Sequence, residues 1–157
     1  MATDQVSIKG RLQTDLTASM KARDELTTST IRMLRAAIMN AEVAGSTAIE
    51  LTDEQTIAVL RSEAKKRAEA AEVYEQAGRT ESAAKERAEL VVIERYLPAA
   101  MSDDDLQAIV SEEIANAAAS GAKGQRAMGL VIKAVRERAG AAADGSRIAA
   151  MVKAELA

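Results

Sequence analysis

A chain of 157 residues, 48% hydrophobic and 29% charged, is long enough to bury a core and too apolar to remain disordered. It has no cysteine and no histidine, which removes disulfides, thiolate metal sites, thiol nucleophiles and the usual general base near neutral pH. A net charge of −3 supplies no global attraction to nucleic acid.

A single proline and an abundance of Ala, Glu, Lys, Arg and Leu predict an all-α fold. Tyr74 and Tyr96 are the only aromatic residues, so the core must come from Leu, Ile, Val, Met and Ala. No apolar run approaches the ~20 residues that span a bilayer, and the N-terminus lacks the charged-then-apolar pattern of a signal peptide. Together these features predict a cytoplasmic protein with no membrane contact. Carboxylates, lysines and hydroxyls are all that remain for catalysis, which argues against an enzyme. No catalytic residue, metal ligand or cofactor is assigned.

In chain order, a first helix is predicted from Ser7 to Arg23, with Ile8, Leu12, Leu16 and Met20 along one face. A second runs from Asp24 to Val43 with the stripe Leu26, Thr30, Ile31, Leu34, Ala37, Ile38 and Ala41. The hydroxyl cluster Thr27-Thr28-Ser29-Thr30 weakens its start. After a loop over 45–51, Thr52 and Gln55 form a capping box that opens a third helix, carrying Ile57, Leu60, Ala64, Ala71 and Tyr74 inward. Gly78 suits the left-handed position that closes it. A fourth helix returns from Thr80 to about Tyr96, with Ala83, Leu90, Ile93 and Leu97 inward.

A hairpin folded at Gly78 sets Arg67, eleven residues before it, opposite Glu89, eleven after. It also sets Ala64 opposite Ile93 and Leu60 opposite Leu97. Arg67 and Glu86 lie within the apolar stripes of their helices, where an unpaired charge is costly. A partly buried ion pair of Arg67 with Glu89 or Glu86 is therefore expected.

Pro98 ends the fourth helix by pushing the preceding residue out of helical geometry. It marks the predicted boundary between an N-terminal helical domain (1–98), a hairpin bundle of about four helices, and a small C-terminal three-helix domain (99–157). In the latter, Ser102 caps a fifth helix that buries Leu106, Ile109, Val110 and Ile114. A sixth runs from about Gln125 to Ala139 with Met128, Val131, Ile132 and Val135 inward. Asp144 caps a seventh, which carries Ile148, Val152 and Leu156. Gly129, inside the sixth helix, costs roughly 1 kcal/mol relative to alanine, and close packing against the fifth or seventh helix is the expected reason.

Charge is unevenly placed along this region. Residues 99–120 carry five acids and no base, whereas 121–157 carry seven bases against three acids, a balance of +4. Arg126 and Lys133 project opposite the buried face of the sixth helix, with Lys123 and Arg136 near them and Arg147 and Lys153 on the seventh. Such a surface fits phosphate contacts, which position nucleic acid without reading its sequence. No aromatic platform accompanies it, so readout of unpaired bases is not expected.

Three groups of residues resemble one family. Arg32-Met33-Leu34, Ala36-Ala37-Ile38 and Asn40-Ala41-Glu42 look like the first signature of the bacterial YqeY family. The second comprises Lys66-Arg67, Tyr74, Ala77-Gly78-Arg79, Glu86, Glu89-Leu90 and Tyr96-Leu97-Pro98. The third is Met128-Gly129 followed by Ala143-Asp144-Gly145. The family resembles the C-terminal part of the B subunit of the glutamine-dependent aspartyl/glutamyl-tRNA amidotransferase, whose tail helps hold tRNA. The resemblance implies a free-standing accessory module, non-catalytic by itself, with tRNA or another structured RNA as partner. The alternatives are a carbon–nitrogen ligase that uses glutamine as amido donor, and an adaptor that binds a protein partner. One departure stands out: family members usually read Gly-Arg-Ala-Asp-Gly where this chain has Gly140 to Gly145, longer by one residue and lacking the arginine.

Overall fold

The computed structural model describes residues 6–157. Among them lie seven α-helices, one 3₁₀ turn and no strand. The helices are α1 (Ile8–Ala22), α2 (Glu25–Glu42), α3 (Asp53–Gln76), α4 (Thr80–Glu94), α5 (Asp103–Ala119), α6 (Gly124–Ala139) and α7 (Gly145–Leu156), with the 3₁₀ turn at Gly140–Ala142. The chain divides into two compact units between Leu97 and Pro98.

Local capping sets most helix ends. Ser7, Asp24, Thr52, Ser102 and Asp144 each accept a backbone N–H from the first turn of the helix they precede. At Thr52 the capping box is complete, because Gln55 Oε1 also accepts from Thr52 N at 3.0 Å. Gly78 adopts φ +72°, and the α3 C-terminus closes with Arg79 N–H on Tyr74 O and Gly78 N–H on Glu75 O. This is the Schellman arrangement, and it satisfies two carbonyls that the helix leaves free. Arg23 takes the same left-handed conformation between α1 and α2 without glycine's freedom, at a cost of roughly 1–2 kcal/mol. The hydroxyl cluster that follows it anchors this turn. Thr27 Oγ1 donates to Asp24, Thr28 Oγ1 to Ser19 Oγ, and Thr30 Oγ1 to Leu26 O.

In the first unit α2 touches each of the other three helices, and α3 and α4 form the most extensive pair. The core collects Leu12, Ile31, Leu34, Leu60, Val92 and Ile93. Asp53, at the start of α3, accepts Ile8 N–H from the start of α1 at 3.1 Å. Buried Tyr96 donates its hydroxyl to Asp15, and burial pushes its pKa far above the ordinary tyrosine value.

Several packing expectations are corrected here. Met20 is 52% exposed, and Ser19 takes the buried place instead. Steps of four residues drift by roughly 40° each at 3.6 residues per turn, so by the fourth member the row has left the core face. The hairpin pairing is corrected too: equal spacing from Gly78 sets Leu60 against Tyr96, which is buried, rather than against Leu97, which is half-buried. On α4 Glu89 is buried while its neighbour Leu90 is only half-buried. The fourth helix also stops at Glu94, short of the proline. Tyr96 N–H and Leu97 N–H then bond the carbonyls three residues back, which tightens the last turn.

The second unit packs α5, α6 and α7 so that every pair is in contact. Its core is Leu106, Val110, Val131, Val135, Ile148 and Val152, with small Ala117, Ala139 and Ala143 between them. Met101 N–H donates to Ala142 O at 2.7 Å, tying the entry of α5 to the 3₁₀ turn.

Candidate nucleic-acid interface

Helix α6 supplies the face on which the sequence concentrates its cations. With Val131 and Val135 buried, a rotation of roughly 100° per residue puts Arg126, Gly129, Lys133 and Arg136 on the opposite side, within about 80° of one another. All four are exposed. The helix begins at Lys123, which holds an extended backbone and makes no side-chain cap. Its first turn contains no acidic residue. A helix N-terminus carries partial positive charge that favours anions, yet here Lys123 and Arg126 add to that charge.

Two further cations of this unit, Arg138 and Arg147, are engaged. Arg138 contacts Glu112 at 2.9 Å and Glu113 at 2.8 Å. These bonds raise the Arg138 pKa, and the hydrogen bond from Arg138 lowers that of Glu113. Arg147 Nε donates to Asp103 at 3.1 Å, so this candidate phosphate contact already has a carboxylate partner. Among the described residues Lys123, Arg126, Lys133, Arg136 and Lys153 have no carboxylate within 4.0 Å. The acids of α5 therefore neutralise part of what the linear count assigned to the final third. Residues 98–157 carry seven bases against eight acids, a balance of −1. The unit is not basic, but one face of α6 is.

Two glycines shape this face. The expectation that Gly129 packs against a neighbouring helix is overturned: a Cβ built there meets nothing within 4 Å. Gly129 is a bare stretch of backbone between Arg126 and Lys133. Gly145, the first residue of α7, lies under the guanidinium of Arg136, whose Nη2 would sit 2.1 Å from an added Cβ. The missing Cβ lets Arg136 lie flat on the start of α7. The spacing of Gly129 from its flanking cations is visible in the sequence, but its exposure is not.

In the first unit, Arg67 Nε lies 2.9 Å from Glu89 and 3.7 Å from Glu86, and Nη2 lies 3.8 Å from Glu63. Glu63 is one helical turn before Arg67, a spacing that marks side-chain neighbours, and Lys66 holds it at 2.7 Å. Arg67 Nε and Glu86 Oε2 are buried without a hydrogen bond. The short Nε–Glu89 distance is thus a charge contact with poor N–H alignment. Nη2 of Arg67 meets Met33 Sδ at 3.2 Å. The cluster has one deeply placed cation among three carboxylates, and it reads as an internal structural device of the hairpin.

Among the described residues no helix is long and apolar enough to cross a membrane, and no group of carboxylates is placed to hold a metal ion. No curated protein matches the chain. The family model of the Yqey-like proteins matches residues 9–156, nearly the whole chain and both units, and the chain belongs to the YqeY family.

Proposed function

We propose that the protein is a free-standing, non-catalytic accessory module that associates with structured RNA such as tRNA through its C-terminal unit, residues 99–157, acting as a tail domain. The observation that carries this reading is the α6 face. Among the described residues, Lys123 and Arg126 at the N-terminal end of the helix, and Lys133 and Arg136 beyond the bare backbone of Gly129, stand without carboxylate partners. Phosphate is the ligand chemistry that such a face lacks. Its charges lie on a helix without an aromatic neighbour, so contacts to backbone phosphates and helical shape account for binding, and base readout does not. The absence of histidine and cysteine supports the non-catalytic part.

Fluorescence anisotropy of a labelled tRNA, titrated with the full chain at several salt concentrations, tests this. Binding is expected to be weak and steep in salt, because each phosphate contact releases counterions. Arg126→Ala with Lys133→Ala should weaken it and lower the salt slope by about 2, one per contact. Arg138→Ala, which removes a cation already held by Glu112 and Glu113, should leave the slope unchanged. Parent-like binding by the double variant, or no binding by the parent at low salt, overturns the proposal.

A further inference from the structure

In the first unit a groove of about 430 Å³ runs between α1 and α2. Its lining includes Leu12 from α1 and Ala36, Ile38 and Met39 from α2. Leu12 and Ile38 belong to the core, whereas Met39 is 61% exposed above them. Methionine is flexible and polarizable and adapts to irregular apolar shapes. Lys9 also lines it, and its charge is engaged by Glu42 at 2.6 Å. That contact raises the Lys9 pKa and lowers that of Glu42.

The other cations of the groove are not engaged. Arg32 and Arg35 stand one helical turn apart on its rim, and among the described residues neither has a carboxylate within 4.0 Å. Arg32 Nη2 meets only the soft acceptor Met20 Sδ, at 3.9 Å. Like charges at this helical spacing repel. A rim of two cations over an apolar floor is complementary to a group that brings both an anion and apolar surface.

We propose that this groove binds a small organic anion with an apolar body. The anionic group lies between Arg32 and Arg35, and the body rests on Ala36 and Met39, with buried Leu12 and Ile38 beneath them. A carboxylate or a phosphate satisfies the paired guanidiniums, since both accept forked hydrogen bonds from arginine. The volume falls within the ~300–1,000 Å³ of small-molecule sites. The inference concerns the first unit and does not rest on the RNA reading.

The full chain is titrated with 1-anilinonaphthalene-8-sulfonate, whose sulfonate stands in for carboxylate or phosphate, and in parallel with the uncharged N-phenyl-1-naphthylamine. Saturable binding at one site per chain is expected, with the charged probe binding more tightly. Arg32→Ala with Arg35→Ala should weaken the charged probe about tenfold, the loss expected for a charge-assisted hydrogen bond. It should leave the uncharged probe unaffected. Both arginines are exposed and unpaired, so this variant keeps the fold, which circular dichroism checks. Ala36→Leu, at an exposed helical position, should block both probes. Competition by decanoate and by decyl phosphate distinguishes the two anionic groups. Methyl NMR should place the perturbation at Met39. Charged-probe binding that survives the double arginine variant, perturbation elsewhere on the chain, or light scattering that shows a second copy covering this face overturns the proposal.

Discussion

Every buried polar side chain among the described residues lies in the first unit: Ser19, Thr27, Thr30, Thr56 and Glu89. The second unit's core is wholly apolar, and its ion pairs, Arg138 with Glu112 and Glu113 and Arg147 with Asp103, lie on the outside. The contrast follows from what each must specify. Helices α3 and α4 form a long hairpin whose facing stripes are rich in alanine, so packing alone distinguishes registers weakly. A half-buried cation against buried Glu89 penalises a slipped register, at the expense of desolvating the charges. Three helices in mutual contact need no such device, because Leu106, Val131, Val135 and Ile148 share one apolar core. Burying each such side chain contributes about 1.5–3 kcal/mol, against at most about 1 kcal/mol for an exposed ion pair.

The sharpest way to break the comparison is to delete one arginine from each unit. Arg67→Ala strands Glu86 and Glu89 in a buried site and should cost roughly 3 kcal/mol. Arg138→Ala, at a partly exposed pair, should cost less than about 1 kcal/mol. Arg67→Met combined with Glu86→Leu and Glu89→Leu should recover most of the first loss, because the one carboxylate that remains, Glu63, is still held by Lys66. Urea melts measure all three. Tyr74 and Tyr96 both belong to the first unit, so tyrosine emission follows that unit while circular dichroism follows both. Equal small losses at Arg67 and Arg138 would mean that the hairpin register comes from packing alone.

A smaller effect separates two helical glycines. Gly129→Ala in α6 should stabilise the second unit by up to about 1 kcal/mol, since helix propensity improves and nothing stands in the way. Gly10→Ala in α1 should gain less, because its Cβ would meet Val6 Cγ1 at 3.0 Å and Ser7 Oγ at 3.2 Å. If the gains are equal, the crowding at Gly10 relaxes freely.

The smallest effects appear in acid. In the first unit, hydrogen bonds from Thr27 lower the pKa of Asp24 below its ordinary 3.8, and the hydrogen bond from Lys9 lowers that of Glu42 below 4.5. In the second, Arg138 lowers Glu113 below 4.5. A depressed folded pKa contributes stability that is present above the ordinary value and lost as pH falls through the folded one. Stability should therefore decline below about pH 4 in both units. Urea melts across this range should show Glu42→Gln flattening the decline seen by tyrosine emission, and Glu113→Gln leaving that signal alone. A decline in tyrosine emission that ignores Glu42→Gln would remove the Lys9 pair from the account.

Helix ends were legible in the sequence because their causes are local. Thr52, Ser102 and Asp144 satisfy donors within the next turn, and Gly78 permits a backbone conformation that its own lack of a Cβ decides. The all-α class followed from composition for the same reason. Equal spacing from Gly78 sets Arg67 against Glu89, but the sequence did not show that Glu63 joins them, or that Nε is left without an aligned acceptor. Those depend on rotamers within a packed hairpin. Met20 left its stripe, and Gly129 faced outward, because exposure depends on which side of a helix its neighbours cover. The basic count of the last third was reduced by acids from α5, and the groove of the first unit formed between Arg32 and Arg35 of one helix and Lys9 and Leu12 of another. Charge balance and cavities are properties of surfaces brought together from distant positions, and only the tertiary structure determines which surfaces meet.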